Sequence, residues 1–308
     1  MKQHLRLAVY LASAFVLGAA TISTLSFRSA ESSEVPYTIT EERKVQYKWH
    51  APDLPKSLSF AGEKVPLDRE DVREALDREL LYNYFNQSST IRILKLSNRY
   101  FPIIEPILKA HGIPEDFKYL AVAESALQNQ TSRVGAGGFW QFMPKTAPEF
   151  GLELSDDVDE RNHIIKSTIA AAKYLKQAHS RFGSWTVAAA TYNMGQGGFD
   201  RRSDFQGVKD YYSVQLPEET MRYVHRILAF KLLIGQPEHY GYFVSEHESY
   251  KPYKTKKVNV SSSIPNLADF ALQHGTNYKK LKELNPWLTS TKLTVKSGKS
   301  YEIEVPES

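Results

Sequence analysis

From Asp71 to Gly235 apolar residues recur three and four positions apart, and almost no stretch alternates. That spacing buries one face of a helix rather than one face of a strand, so this part of the chain is constrained to a helical domain. Val72, Ala75, Leu76 and Leu80 form the first stripe. Further helices are predicted over Asn98–Ala110, where Pro102 and Pro106 disturb the pattern, and over Pro114–Leu127. Another runs from about His163 to Phe182, with Ile165, Ile169, Ala172, Leu175 and Phe182 inward and Gly183 as its stop. Trp185–Tyr192 and Pro217–Gly235 complete the set. After Tyr240 the texture changes. Lys254–Val260 and Tyr301–Val305 alternate like strands, with short helices at Asn266–Gln273 and Tyr278–Leu284 between them. The expected fold is mainly α: an all-α domain followed by a small α+β module.

Composition narrows the function classes. The 308 residues contain no cysteine, which removes disulfide scaffolds, cysteine–zinc sites and thiol nucleophiles. The nine histidines include no His-Glu-x-x-His pair, and no Gly-x-Ser-x-Gly elbow occurs. Hydrophobic (42%) and charged (24%) fractions are those of ordinary globular proteins, which excludes wholesale disorder. The net charge of +4 is uneven, since residues 250–306 hold ten Lys against four acids. A basic tail suggests an anionic surface as partner; nucleic acid, phospholipid and acidic cell-wall polymer all stay open on charge alone. At the other end Lys2, His4 and Arg6 precede an uncharged run from Leu7 to Phe27, the pattern of an export signal. Gly18-Ala19-Ala20 offers small residues for cleavage, while a run near 20 residues is also long enough to anchor in a bilayer.

Glu124 stands out. Phe117, Leu120, Ala121 and Leu127 mark the buried face of the third helix, and Glu124 falls on that stripe. An unpaired buried carboxylate costs several kcal/mol or has its pKa raised until it is neutral. A carboxylic acid kept protonated near neutral pH is the group that protonates a glycosidic oxygen. The bland alternative is a Glu at the edge of the stripe, paired with Lys or Arg. Downstream, Gly135, Gly137 and Gly138 allow a tight loop that a polymer can approach. Trp140 offers an aromatic face for a sugar ring, and Gln141 can hydrogen-bond an acetamido or hydroxyl group.

Four motifs then come in order: Glu124-Ser125, Gly138-Phe139-Trp140-Gln141, Thr191-Tyr192-Asn193-Met194-Gly195, and Leu216 to Val224 (Leu-Pro-Glu-Glu-Thr-Met-Arg-Tyr-Val). Together they resemble the soluble-lytic-transglycosylase (SLT) domain, a goose-type-lysozyme-like family that cuts peptidoglycan. The resemblance covers about residues 85–240. It implies a lysozyme-like catalytic domain in which Glu124 is the acid/base. Ser132, Gln141, Tyr192, Asn193, Glu219 and Tyr223 match the family's substrate-binding positions, with Thr191 where Ala is usual. Glu219 and Tyr223 lie four apart and can share one groove.

The tail resembles a LysM domain, a small wall-sugar-binding module. Its usual Gly-Asp-Thr before the first helix is replaced by Ser263-Ile264-Pro265. The domains expected are therefore a signal peptide or anchor over 1–30, a linker and helical extension over 31–84, the SLT domain over 85–245 and a degenerate LysM-like domain over 246–308. The resemblance implies cleavage of the MurNAc–GlcNAc bond with 1,6-anhydro ends, no metal or organic cofactor, and peptidoglycan strands as partner. It implies no nucleic acid, and membrane association would run through residues 7–27. The expected location is the periplasm or cell envelope. A goose-type muramidase using water, and a non-catalytic wall-binding scaffold, are the alternatives. Because the matched motifs all precede residue 240, the tail is expected to serve wall binding more than cleavage.

Overall fold

A computed structural model describes residues 50–307; the signal or anchor expected over 1–30 and the start of the linker lie outside the described residues. The first element is a small hairpin, β1 (Ser59–Phe60) paired with β2 (Glu63–Lys64), in a stretch with no strand signal in its sequence. Its turn, Ala61-Gly62, has φ of 52° and 84° at the two positions, the left-handed pair that a two-residue hairpin loop demands. Phe60 anchors it, fully buried with its ring edge-on to Phe117.

Helix α1 (Glu70–Phe85) buries Val72, Leu76 and Leu80 as its spacing predicts, and it also buries Glu79. Helix α2 runs unbroken from Gln87 to Ala110, so the prolines do not limit it to Asn98–Ala110. Pro102 and Pro106 are four residues apart on its exposed face. The carbonyls they leave unpaired, on Asn98 and Pro102, therefore face solvent, where water replaces the lost bonds. The segment Pro114–Leu127 is also reshaped. A 3-10 turn at Glu115–Phe117 leads into α3 (Lys118–Ser125), and Ala126 and Leu127 follow at φ 52° and 57°.

Helices α4 (Ile164–Phe182), α5 (Trp185–Met194), α6 (Gln196–Gln206) and α7 (Glu218–Gly235) follow. α6 carries only Phe199 and Ser203 buried, which is why its sequence shows no stripe. Gly183 ends α4 at φ 70°. α3 lies against α2 and α7, with Leu120, Ala121 and Val122 buried, so the short helix bearing Glu124 is surrounded on most sides.

The C-terminal module pairs β3 (Thr255–Val260) with β4 (Tyr301–Pro306), antiparallel from Thr255↔Pro306 to Val260↔Tyr301. Between them lie α8 (Leu267–Gln273) and α9 (Tyr278–Leu284), capped by the side chains of Asn266 and Asn277. Its core of Leu267, Phe270, Leu281, Trp287, Leu293 and Ile303 includes one residue of the helical domain, Val158. Val158 bridges to Leu288, the Asp159 N–H donates to the Trp287 carbonyl at 2.8 Å, and the Thr289 N–H donates to the Asp157 carbonyl at 2.9 Å. The tail is stitched to the helical domain. No helix among the described residues is long and apolar enough to cross a membrane.

Candidate active site

Glu124 sits in the last turn of α3, just before two residues in the left-handed region. Such backbone costs of order 1 kcal/mol or more per non-glycine residue and persists only where its surroundings impose it. Ala126, Leu127 and Gln141 are three of the four non-glycine residues with positive φ among the described residues, and all lie at this site. Ser125, next to Glu124, is buried and donates to the carbonyls of Ala121 and Phe139 at 3.1 and 2.8 Å. These bonds tie the end of α3 to the glycine-rich loop.

The Glu124 carboxyl accepts a hydrogen bond from the Tyr223 hydroxyl of α7. Desolvation pushes its pKa up to about 7; the Tyr223 hydrogen bond and the Arg226 charge oppose the rise, and the Glu219 charge adds to it. The residue keeps some accessible surface while its carboxyl is densely surrounded. Tyr223 and Tyr192 titrate well above the ordinary tyrosine range, first through burial and next through the nearby Glu124 charge. Both phenols therefore stay neutral donors beside the carboxyl.

Of the other matched positions, Tyr192 and Glu219 are close enough to act electrostatically with Glu124, and each of the rest is held by partners of its own. Tyr192 donates to the Trp140 carbonyl at 2.8 Å, which ties α5 to the loop. Asn193 is exposed and its Oδ1 accepts from the Thr220 hydroxyl at 2.8 Å. Glu219 is exposed and paired with Arg226 at 3.0 Å. Ser132 turns its hydroxyl to the Ala136 N–H at 3.0 Å and so closes the loop on itself. Gln141 donates its amide to the carbonyls of Gly138 (2.7 Å) and Gln130 (3.0 Å), leaving its side-chain oxygen.

One expectation about the loop is corrected and another refined. Trp140 is fully buried, its indole N–H bonded to the Thr168 hydroxyl at 2.9 Å, so it has no face for a sugar. A buried indole needs a partner for its N–H, and the core supplied one. Gly137 and Gly138, in turn, make room for the protein's own Arg161, whereas Gly135 has only Pro144 near its Cβ position, at 3.9 Å. A Cβ on Gly138 would lie 1.8 Å from the Arg161 carbonyl oxygen, and one on Gly137 would lie 2.9 Å from its guanidinium carbon.

Sequence reasoning missed Arg226 and Glu79. Buried Glu79 pairs with Arg222 at 2.6 Å and Arg226 at 3.3 Å, and Arg226 reaches on to Glu219. The signal was present, since Glu79 falls three residues after Leu76 on the apolar face of α1. A cavity of about 400 Å³ lies elsewhere, between the helical domain and the tail, lined by Tyr100, Phe139, His163, Tyr253 and Trp287 among others. None of the matched site residues lines it.

Against known proteins, residues 101–214 match the transglycosylase SLT domain, and residues 256–308 match the soluble lytic transglycosylase C-terminal LysM-like domain. The chain is thus similar to these two families over those two segments. It is homologous to membrane-bound lytic murein transglycosylase D of Escherichia coli K12, 26% identical over 258 residues, 81% of this chain and 55% of that protein. The chain thus spans about half the length of that relative. Among solved structures, the 70 kDa soluble lytic transglycosylase of Escherichia coli is similar over 63% of this chain and 34% of its own, at 19% identity and TM-score 0.40. Slt of Pseudomonas aeruginosa covers 49% and 26%, at 24% identity and TM-score 0.34. The SLT match spans Glu124 to Asn193, whereas Glu219 and Tyr223 lie beyond it on α7.

Proposed function

We propose that this protein is a peptidoglycan lytic transglycosylase with Glu124 as its single acid/base. The observation that carries the reading is a carboxyl in a segment matching the SLT domain, packed in a mostly apolar setting and hydrogen-bonded by Tyr223, and the upward shift of its pKa agrees with it. Protonated Glu124 gives its proton to the oxygen linking MurNAc to GlcNAc, and the bond from that oxygen to C1 of MurNAc breaks. The resulting carboxylate takes the proton of the muramyl 6-hydroxyl, whose oxygen bonds to C1 and closes a 1,6-anhydro ring. Glu124 ends the cycle protonated. A pKa near 7 suits both halves, because neither form is costly at neutral pH. Ser132, Gln141, Tyr192, Asn193 and Glu219 are proposed to line the glycan path.

Hydrolysis with water, as in a goose-type muramidase, ordinarily asks for a second carboxylate as base. The nearby candidate, Glu219, is engaged by Arg226, which favours the intramolecular route. The export-like N-terminus and the LysM-like tail suit a periplasmic or envelope enzyme acting in wall remodelling. The test is digestion of purified sacculi by residues 31–308 followed by mass spectrometry of the muropeptides. Ends lighter by one water than hydrolysed ends support the anhydro product. Hydrated ends would support the muramidase, and undigested sacculi the scaffold.

A further inference from the structure

A continuous chain of contacts runs from the C-terminal module to the catalytic centre. In the module, the Thr294 N–H donates to Asp157 Oδ2 at 3.0 Å, and the Trp287 carbonyl accepts from the Asp159 N–H at 2.8 Å. Val158, between them, is buried in the module's own core. The Asp159 carboxylate then grips Arg161 twice, taking Nε on Oδ1 at 2.9 Å and Nη2 on Oδ2 at 2.7 Å. Arg161 Nη1 donates to the carbonyls of Gly135 at 2.7 Å and Phe142 at 3.1 Å, at the two ends of the glycine-rich loop. From the loop, the Phe139 carbonyl holds Ser125 beside Glu124, and the Trp140 carbonyl holds Tyr192.

We infer that the LysM-like module is an internal buttress of the active site, with Asp159 and Arg161 as positioning residues that transmit its docking to the Gly135–Phe142 loop. Three features support a built device rather than a chance contact. Arg161 is 7% exposed, so its charge depends on Asp159 and the loop carbonyls for compensation. Its fork makes bidentate contact with Asp159, a geometry that a lysine does not reproduce. The loop glycines leave no room for a side chain where Arg161 packs. The module would thus set the reactivity of a centre it does not touch.

The kinetic part of this inference rests on the transglycosylase reading; the structural part does not. The experiment uses the full chain with Asp157→Ala, Asp157→Asn, Asp159→Ala, Asp159→Glu and Arg161→Lys. Amide hydrogen exchange across 132–142 and kcat and KM on soluble glycan strands are measured well below each melting temperature. The Asp157 carboxylate takes its hydrogen bond from Thr294 of the module and makes none to the loop or to Arg161 among the described residues, so its variants separate coupling from local damage. The expected result is exchange faster by about tenfold in the loop for Asp157→Ala and Asp159→Ala. A fall in kcat of about tenfold or more should accompany it for Asp159→Ala and Arg161→Lys, with KM little changed. Asp159→Glu, which keeps the charge, should recover part of the loss. Unchanged loop exchange in both Asp157 variants would make the module a passenger, and loosened loops with full kcat would remove the positioning role. A wild-type chain that cuts no glycan would sink the activity reading, while the exchange comparison would still decide the buttress.

Discussion

The Tyr223 hydroxyl donates to Glu124 Oε1, although 99 residues of sequence separate them. α3 and α7 pack together, and the bond bridges the end of one helix to the buried face of the other. It stabilises the carboxylate against the desolvation that favours the acid. The acid form persists up to about pH 7 instead of the ordinary 4.5.

Glu124→Gln keeps the size of the side chain and removes the proton. Loss of cleavage by two or more orders of magnitude is expected, as for a general acid/base. The stability effect has the opposite sign. Between about pH 4.5 and 7 the unfolded chain has released this proton and the native protein has not, so wild-type stability falls as pH rises, by up to ~1.4 kcal/mol per unit. The amide carries no such penalty. Melting curves at pH 4 and pH 7 should show the mutant gaining on wild type at the higher pH; a mutant that loses ground there would mark Glu124 as a paired, structural anion.

Neighbours should move the pH profile in opposite directions. Tyr223→Phe removes a bond that lowers the Glu124 pKa, so the alkaline limb of kcat/KM should shift upward, with a rate loss of about tenfold from the lost orientation. Glu219→Gln removes a charge that raises it, so that limb should shift downward. Rate profiles from pH 4 to 9 check both. Two shifts of the same sign would contradict the arrangement of charges around Glu124.

Much of this architecture was legible because helices announce themselves by period. The α4 and α7 boundaries and the strand–helix–helix–strand order of the tail follow from spacing and capping residues such as Gly183 and Asn266. What escaped was set by distant partners. Pro102 and Pro106 look like breakers until the solvent-facing side of α2 is known. Trp140 looks like a sugar platform until Thr168 is found above its N–H. Glu124 was conspicuous on its apolar stripe, and a family motif then singled it out; Glu79 occupies an equally improbable place on such a stripe, but no motif marks it and its compensating arginines are 143 and 147 residues away.

That glutamate is fully buried and shares its charge between two arginines. Glu79→Ala leaves Arg222 and Arg226 without their shared anion and opens a void between α1 and α7. Both arginines retain some access to solvent, which softens the cost to about 2–4 kcal/mol. Urea unfolding of the variant should show the midpoint falling by a corresponding amount. A change below about 0.5 kcal/mol, as for an ordinary surface position, would show that the ion pairs contribute nothing net.

Glu63 acts on the site from the hairpin. Its carboxylate accepts from the N–H groups of Trp185 and Thr186 at 2.6 and 2.9 Å and from the Ser184 hydroxyl at 2.9 Å. It thereby satisfies the open start of α5, the helix that ends with Tyr192 and Asn193. Burial alone would raise its pKa, but the hydrogen bonds from Thr186, Trp185 and Ser184 together outweigh it and hold the group below the ordinary glutamate value. A depressed native pKa means that the stabilisation is complete above the unfolded value of about 4.5 and is lost as pH falls through the native one. Glu63→Gln keeps one acceptor and loses the charge at the positive end of a helix dipole. It should cost about 1–2 kcal/mol at pH 7, and the gap from wild type should close as pH falls from the unfolded value of about 4.5 through the lower native one. Thermal melts from pH 3 to 7 follow that gap directly. A gap that stays constant across the range would assign the loss to packing of the hairpin rather than to the capping charge.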